Sequence, residues 1–360
     1  MIRNRKISLL IVFCSVVAIT AAVVVILGLQ RYNSVYTNSS LEAAIVLNTE
    51  EMSIVEEEKE EIAAIELSIN PITGILEQHD KEHFYYAVII DNLKAARPQY
   101  GISLAPLVYE MPAEGGVTRF LAVFDSGNIE KIGPVRSARP YFIDKAREHG
   151  NLMLIHCGGS PQALSIISKE SYPAMNEISN GAYFFRDNTR KAPHNLFVSA
   201  EQILKFANIK KYSLTNVKTG FDFGFIQDQY LNIETISKVS LKYYTGYSVH
   251  WKYDAESNLY VRYINDMVHT DAGNSENIKA SNVIIPIMSY KVLDSEGRIE
   301  FTKNSSGDCI VLTGGTKRTC KWIRTSNETI VFEDEKGLIK LAEGTTWIQI
   351  IPNKSSISYE

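Results

Sequence analysis

Apolar positions follow three rhythms along this chain. From residue 7 to residue 29 the run is apolar apart from Ser8, Ser15 and Thr20, and its 23 residues are enough to cross a hydrocarbon core of roughly 30 Å at about 1.5 Å per residue. Arg3, Arg5 and Lys6 precede it, which predicts a cytoplasmic N-terminus and an extracytoplasmic bulk. A cleaved signal peptide is the rival reading, since Ala18, Ala21 and Ala22 lie in the run. The run is, however, longer than the roughly 7–15 residues of a signal h-region.

The second rhythm is a set of short, fully apolar runs separated by turns, the mark of strands buried on both faces. FYYAVIIDN (84–92), LVYEMP (107–112), TRFLAVF (118–124) and NLMLIHC (151–157) read this way, with AEGG joining the middle two. Helices fall between them. Pro140 opens YFIDKAREHG (141–150). Ser160 and Pro161 supply an N-cap and first helical position for QALSIISK. Ser199 with Gln202 forms a capping box.

From about Val239 the rhythm becomes alternating, as in VSLKYYTGYSVHWKY, LYVRYI, CIVLTGG and KWIRT, which predicts antiparallel β-structure. In DCIVLTGGTKRTC a two-residue turn at Gly314 and Gly315 sets Thr313 opposite Thr316 and Cys309 opposite Cys320. That pair is open between a disulfide and two thiols, because the rung is a hydrogen-bonded one with more widely spaced Cβ atoms.

These patterns divide the chain into a cytoplasmic tip and transmembrane anchor (1–30), an acidic stalk or linker (31–80), a mixed α/β or α+β domain (81–225) and a smaller, mostly antiparallel β domain (226–360). The stalk carries Glu50, Glu51, Glu56, Glu57, Glu58, Glu60 and Glu61 against Lys59 alone, as a solvated helix or spacer would. Composition adds little. Hydrophobic content is 45%, charged content 22% and formal net charge −4, which gives no reason to expect a nucleic-acid partner. No paired Cys or His spacing suggests a metal, and no motif calls for a cofactor.

The candidate chemistry is a set of cations on stiff turns. IGPVRSARP (132–140) holds Arg136 and Arg139 between prolines with no acid inside the stretch. Arg97, Arg119, Arg186, Arg190, Lys191, His194 and Asn195 lie beside Gly, Pro or strand ends, and Ser160 opens a helix. Guanidinium forks match carboxylate or phosphate, and a helix N-terminus favours anions. The competing reading is that Arg119, Arg136 and Arg139 pair internally with Asp91, Glu110 and Glu114. For a reaction, Asp91, Glu114 and His194 are the candidate acids and bases. His156, ending an apolar strand, reads as a core histidine.

Several of these stretches in order, VIIDNLKAARPQYG, LVYEMPAEGGVTRFLAVF, KIGPVRSARPYFID, IHCGGSPQAL, RKAPHNLF, VSLKYYTGYSVHWKYD, YVRYINDMVHTD and TTWIQIIP, are similar to the YerB-like family of bacterial surface proteins and candidate lipoproteins. The resemblance covers roughly residues 70–352. It implies an N-terminal mixed α/β domain, a β-rich C-terminal domain and an envelope location, and brings no established reaction. Phe13, before Cys14, departs from the small residue that lipid attachment favours.

Together these readings predict a membrane-anchored, extracytoplasmic, single-pass protein with an Arg-lined cleft for an anionic wall component, or with an envelope protein as partner. The alternatives are an envelope hydrolase or phosphate-group transferase acting on wall polymer, and a structural protein whose arginines pair internally.

Overall fold

The computed structural model describes residues 67–78, 85–125, 127–212, 215, 217–224 and 234–360. The predicted anchor at 1–30, and the stalk up to residue 66, lie outside the described residues. Among the described residues no helix is long and apolar enough to cross a membrane. Residues 67–360 form one compact unit.

Its centre is a twelve-stranded sheet. The strand Tyr86–Asp91 is buried throughout and pairs antiparallel with Thr118–Phe124, which in turn pairs antiparallel with Leu107–Pro112. On its other side Tyr86–Asp91 pairs parallel with Met153–His156, and that strand pairs parallel with Ala174–Asn176. The unbroken apolar runs have a simple cause, since both faces of this region are covered. Tyr86, Val88 and Ile90 pack on one side with Ile203 and Phe206 of the helix Ala200–Lys210 and with Val239, Val249 and Trp251. Ala87 and Ile89 pack on the other side with Phe142, Ile143 and Ala146 of the helix Pro140–Glu148.

The C-terminal half joins the same sheet. Thr346–Gln349 pairs parallel with Leu107–Pro112 on one flank and with Asn282–Pro286 on the other. Beyond Asn282–Pro286 the order continues through Ser306–Thr313, Thr316–Arg324 and Ile330–Asp334. The expected boundary between residues 225 and 226 lies within 225–233, outside the described residues, and strands from both sides of that stretch share one sheet. A second, six-stranded sheet is built from Lys238–Tyr244, Tyr247–Asp254, Leu259–Ile264 and shorter pieces, including the C-terminal Ile357–Tyr359.

The hairpin turn at Gly314 and Gly315 has both residues at positive φ, with Thr313 facing Thr316 and Cys309 facing Cys320, as the two-residue turn requires. Both cysteines are buried free thiols. The expected caps also form. The Ser160 hydroxyl accepts from the Ala163 N–H at 3.2 Å, and the Ser199 hydroxyl from the Gln202 N–H at 3.3 Å.

Candidate functional site

The carboxyl ends of the parallel strands Tyr86–Asp91, Met153–His156 and Ala174–Asn176 meet at one edge of the sheet, the place where open α/β sheets gather ligands. The stretch IGPVRSARP runs across this edge. The Arg136 N–H donates to the Ile89 carbonyl at 2.8 Å, and the Cys157 N–H donates to the Arg136 carbonyl at 3.0 Å, so the backbone of Arg136 is stitched between two strand ends. Just before it, Gly133 sits at φ +143°, and a Cβ there would lie 2.9 Å from the Leu196 carbonyl oxygen and 2.9 Å from the Val135 nitrogen. Only glycine allows that approach. Beyond Arg136, Ala138 bridges to Gly159, which brings Arg139 beside the turn that leads to Ser160.

The side chains then meet as follows. Asp91 is 1% exposed. Its Oδ2 lies 3.0 Å from Arg136 Nε and 2.7 Å from His194 Nδ1, while Oδ1 accepts from the Leu93 N–H at 3.0 Å. Arg119 stands opposite Asp91 on the neighbouring strand and pairs with Glu114 at 3.2 Å. Arg139 also pairs with Glu114, through Nε, and donates to the Ala138 carbonyl at 2.7 Å. Arg186 pairs with Glu177 at 3.1 Å and donates to Asn195 Oδ1 at 3.1 Å. Four guanidiniums, Arg119, Arg136, Arg139 and Arg186, therefore share three carboxylates, Asp91, Glu114 and Glu177. Arg136 is the least committed of them. The N–H of its Nε is not aimed for a hydrogen bond, and among the described residues its terminal nitrogens have no hydrogen-bond partner.

The electrostatics follow from this crowding. Burial pulls the Arg119 guanidinium below its ordinary pKa, Glu114 opposes that, and the nearby charges of Arg139 and Arg136 add to it. Burial pushes the Glu114 carboxyl up, but the Arg139 hydrogen bond and the charges of Arg119 and Arg139 outweigh it and hold the group below the usual carboxylate value. Cys157 donates to Glu177 Oε2 at 3.2 Å. Burial first, then Glu177, push its thiol to about 11 against the opposing charges of Arg186 and Arg136, so Cys157 is a neutral thiol rather than a thiolate nucleophile.

Two expected cations are used elsewhere. Arg190 donates to the carbonyls of Ala96 and Pro98 at 2.9 and 2.6 Å and stacks over Tyr100. It braces one loop against another. Arg97 donates to the Asn92 carbonyl at 2.6 Å and lies 4.5 Å over the Tyr247 ring. Lys191 is exposed on the turn before His194. Ser160 spends its hydroxyl on the helix cap. Of the expected cleft residues the structure brings together Arg119, Arg136 and Arg139, with Arg186 joined to them through Glu177 and Cys157, and places Arg97 and Arg190 apart. Pro140 and Tyr141, directly after Arg139, line a groove of about 620 Å³, whereas none of these arginines lines it.

The expected internal pairing also needs a correction. Glu110 pairs with none of the three N-terminal arginines. It is fully buried against Arg262 at 2.6 Å and accepts from the Tyr247 and Thr118 hydroxyls at 2.6 and 2.7 Å. Arg262 Nη1 donates to His269 Nδ1 at 2.7 Å, which leaves His269 Nε2–H to donate to Gln99 Oε1 at 2.8 Å. Gln99 Nε2 then donates to the Asp91 carbonyl at 2.9 Å. A buried polar chain therefore ties the C-terminal half to the strand end that carries Asp91. Its signal in the sequence was Arg262 itself, on the inward-facing side of LYVRYI with Tyr260 and Ile264. Glu177 was also missed, and only its place after the capping Asn176 marks it. His156 is buried as expected, and its Nδ1 bonds the Gly158 carbonyl at 2.7 Å, but Nε2 has no partner. Among the described residues no group of three or more His, Cys, Asp or Glu is placed to hold a metal.

Comparison with known proteins agrees with this architecture. Residues 72–213 match the family model "Protein of unknown function (DUF3048) N-terminal domain", and residues 239–348 match the corresponding C-terminal domain. The chain is 31% identical over 293 residues to the protein named "Putative lipoprotein YerB" of Bacillus subtilis (strain 168), covering 80% of this chain and 87% of that protein. The crystal structure of the Bacillus subtilis YerB protein superposes with a TM-score of 0.74 at 29% identity, over 81% of this chain and 99% of that one. The two halves of the described structure, joined by one sheet, are the N- and C-terminal domains of a DUF3048 protein, and the chain belongs to that family.

Proposed function

We propose that this chain is an extracytoplasmic protein of the bacterial envelope that binds an anionic wall component, a peptide carboxylate or a phosphate of wall polymer or polyprenyl carrier, at the carboxyl edge of its parallel strands. The location is supported by the apolar run at 7–29 behind Arg3, Arg5 and Lys6 and by the lipoprotein in its similar relative's name. One observation carries the binding reading. Arg136 has a fixed backbone, a side chain 21% exposed and terminal nitrogens without protein acceptors, in a cluster whose guanidiniums outnumber its carboxylates. Such a group is a ready partner for a bidentate anion. The test is calorimetry of the purified full-length chain in detergent with wall muropeptides and with a polyprenyl phosphate. Arg136→Ala is expected to remove binding and Arg136→Lys to weaken it markedly, with cooperative thermal unfolding retained by both in the absence of ligand. Unaltered binding in both variants would sink the proposal.

A second reading, hydrolysis or phosphate-group transfer at the same edge, is favoured by the Asp91–His194 contact. A carboxylate on Nδ1 orients an imidazole for proton transfer through Nε2. Release of product from wall polymer, lost in His194→Ala while binding persists, would favour this reading over binding alone.

A further inference from the structure

The six-stranded sheet has a polar outer face that none of the chemistry above uses. Along Lys238–Tyr244 and Tyr247–Asp254, Val239, Leu241, Val249 and Trp251 point inward and are buried. The alternate positions point outward. Ser240 stands opposite His250, Lys242 opposite Ser248, and Ser358 opposite Ser240 on the C-terminal strand. These outward residues line a groove of about 350 Å³. Five serines line it, together with Lys242 and His250, and no carboxylate does.

The hydrogen bonds around His250 fix where its protons lie. Ser248 Oγ donates to Asn265 Oδ1 at 3.2 Å. His250 Nε2, 3.2 Å from Ser248 Oγ, therefore carries the proton and donates to that oxygen. Nδ1 is left as the acceptor of the Ser240 hydroxyl at 2.7 Å. Protonating Nδ1 reverses that last bond. The imidazolium then donates to Ser240 Oγ, and the Ser240 hydroxyl proton is released toward the groove. Uptake of one proton thus adds both a positive charge and a free donor to the same wall.

We propose that this groove is a binding site for a tetrahedral oxyanion of the phosphate class, held by Lys242, the Ser358 hydroxyl and the Ser240 hydroxyl that His250 protonation frees, and that His250 takes up a proton as the anion binds. Lysine acts on phosphate as a point charge, and hydroxyls donate to its several oxygens. The other charges facing His250 are Lys238 and Lys252, which disfavour its protonation, and Asp266 and Glu360, which favour it. Burial and Lys238 keep the imidazole below its ordinary pKa without ligand, which leaves room for the anion to raise it.

The experiment is calorimetry of inorganic phosphate binding to the full-length chain in detergent at about pH 5.5 and about pH 7.5. Relative to His250→Gln, in which only phosphate's own ionisation varies with pH, the parent chain is expected to gain up to roughly tenfold in affinity at the lower pH, the factor that a one-unit rise in the His250 pKa gives. The exposed substitution Lys242→Gln should weaken binding at both pH values. His250→Gln should leave only the pH dependence that phosphate's own second ionisation brings. Phosphate heats that are absent, or that are the same in Lys242→Gln and His250→Gln as in the parent chain, would overturn the assignment. So would an uncharged methyl glycoside that binds with the same variant dependence while phosphate does not, since the groove would then be a saccharide site.

Discussion

His194 Nδ1 lies 2.7 Å from Asp91 Oδ2, across 103 residues of chain. The same oxygen is 3.0 Å from Arg136 Nε, so one buried carboxylate holds the His194 loop and the Arg136 stretch against a single strand end. Asp91→Ala removes both partners at once and also the acceptor for the Leu93 N–H. It should destabilise by about 2–4 kcal/mol, because it leaves polar groups and a guanidinium without their counter-charge. Arg136→Ala, which leaves Asp91 its other two partners, should cost less. Urea unfolding of the two variants checks the order, and an equal or smaller loss for Asp91→Ala would refute the account.

The Glu110–Arg262 pair is fully buried, at 0% exposure for both side chains. Taking away one member should be far worse than taking away both. Arg262→Met is expected to cost about 3–5 kcal/mol, since it strands a buried carboxylate. Glu110→Gln combined with Arg262→Met should recover a large part of that loss. A double-mutant cycle by chemical denaturation measures this, and additive losses would show that the two charges are not coupled in the fold.

Acid should weaken the protein before its carboxylates titrate. His149 is buried between the Tyr109 hydroxyl at 2.7 Å and the Lys218 carbonyl at 3.1 Å. Burial lowers its pKa from 6.5 to about 4. Burial likewise lowers His269 well below 6.5, with Arg262 adding to the effect. Between about pH 6.5 and pH 4 the unfolded chain binds protons that the folded chain refuses, so stability falls as pH drops, by up to ~1.4 kcal/mol per unit for each such histidine. Asp144, whose carboxyl burial pushes up, works in the opposite direction. His149→Gln should flatten the slope of unfolding free energy against pH across this window, and an unchanged slope would show that His149 does not set it.

Cys309 and Cys320 face each other at 0% and 5% exposure, and burial, followed by the hydrogen bond with Cys320, keeps the Cys309 thiol protonated far above its ordinary range. A thiolate is the species that alkylating reagents capture. Under native conditions iodoacetamide should therefore leave both unmodified while denaturant exposes both, as read by peptide mass spectrometry. Rapid native labelling of Cys309 would contradict the packing described.

Local pattern was enough to write down the elements of this protein. Apolar runs marked the strands covered on both faces, Ser160 and Ser199 marked helix starts, and the glycine pair fixed a register down to Cys309 opposite Cys320. Each of these depends on residues a few positions apart, where backbone geometry leaves little choice. Partner choice among charges was different. Glu110 went to Arg262, 152 residues away, rather than to an arginine close in sequence, and the spare guanidiniums divided between loop braces at Arg97 and Arg190 and a cluster at Arg136. Nor did any pattern show that Thr346–Gln349 would slot between Asn282–Pro286 and Leu107–Pro112 to make one sheet of two halves. A guanidinium satisfies any carboxylate and a strand edge any strand, so only closure of the whole chain, which decides what is near and dry, selects among them.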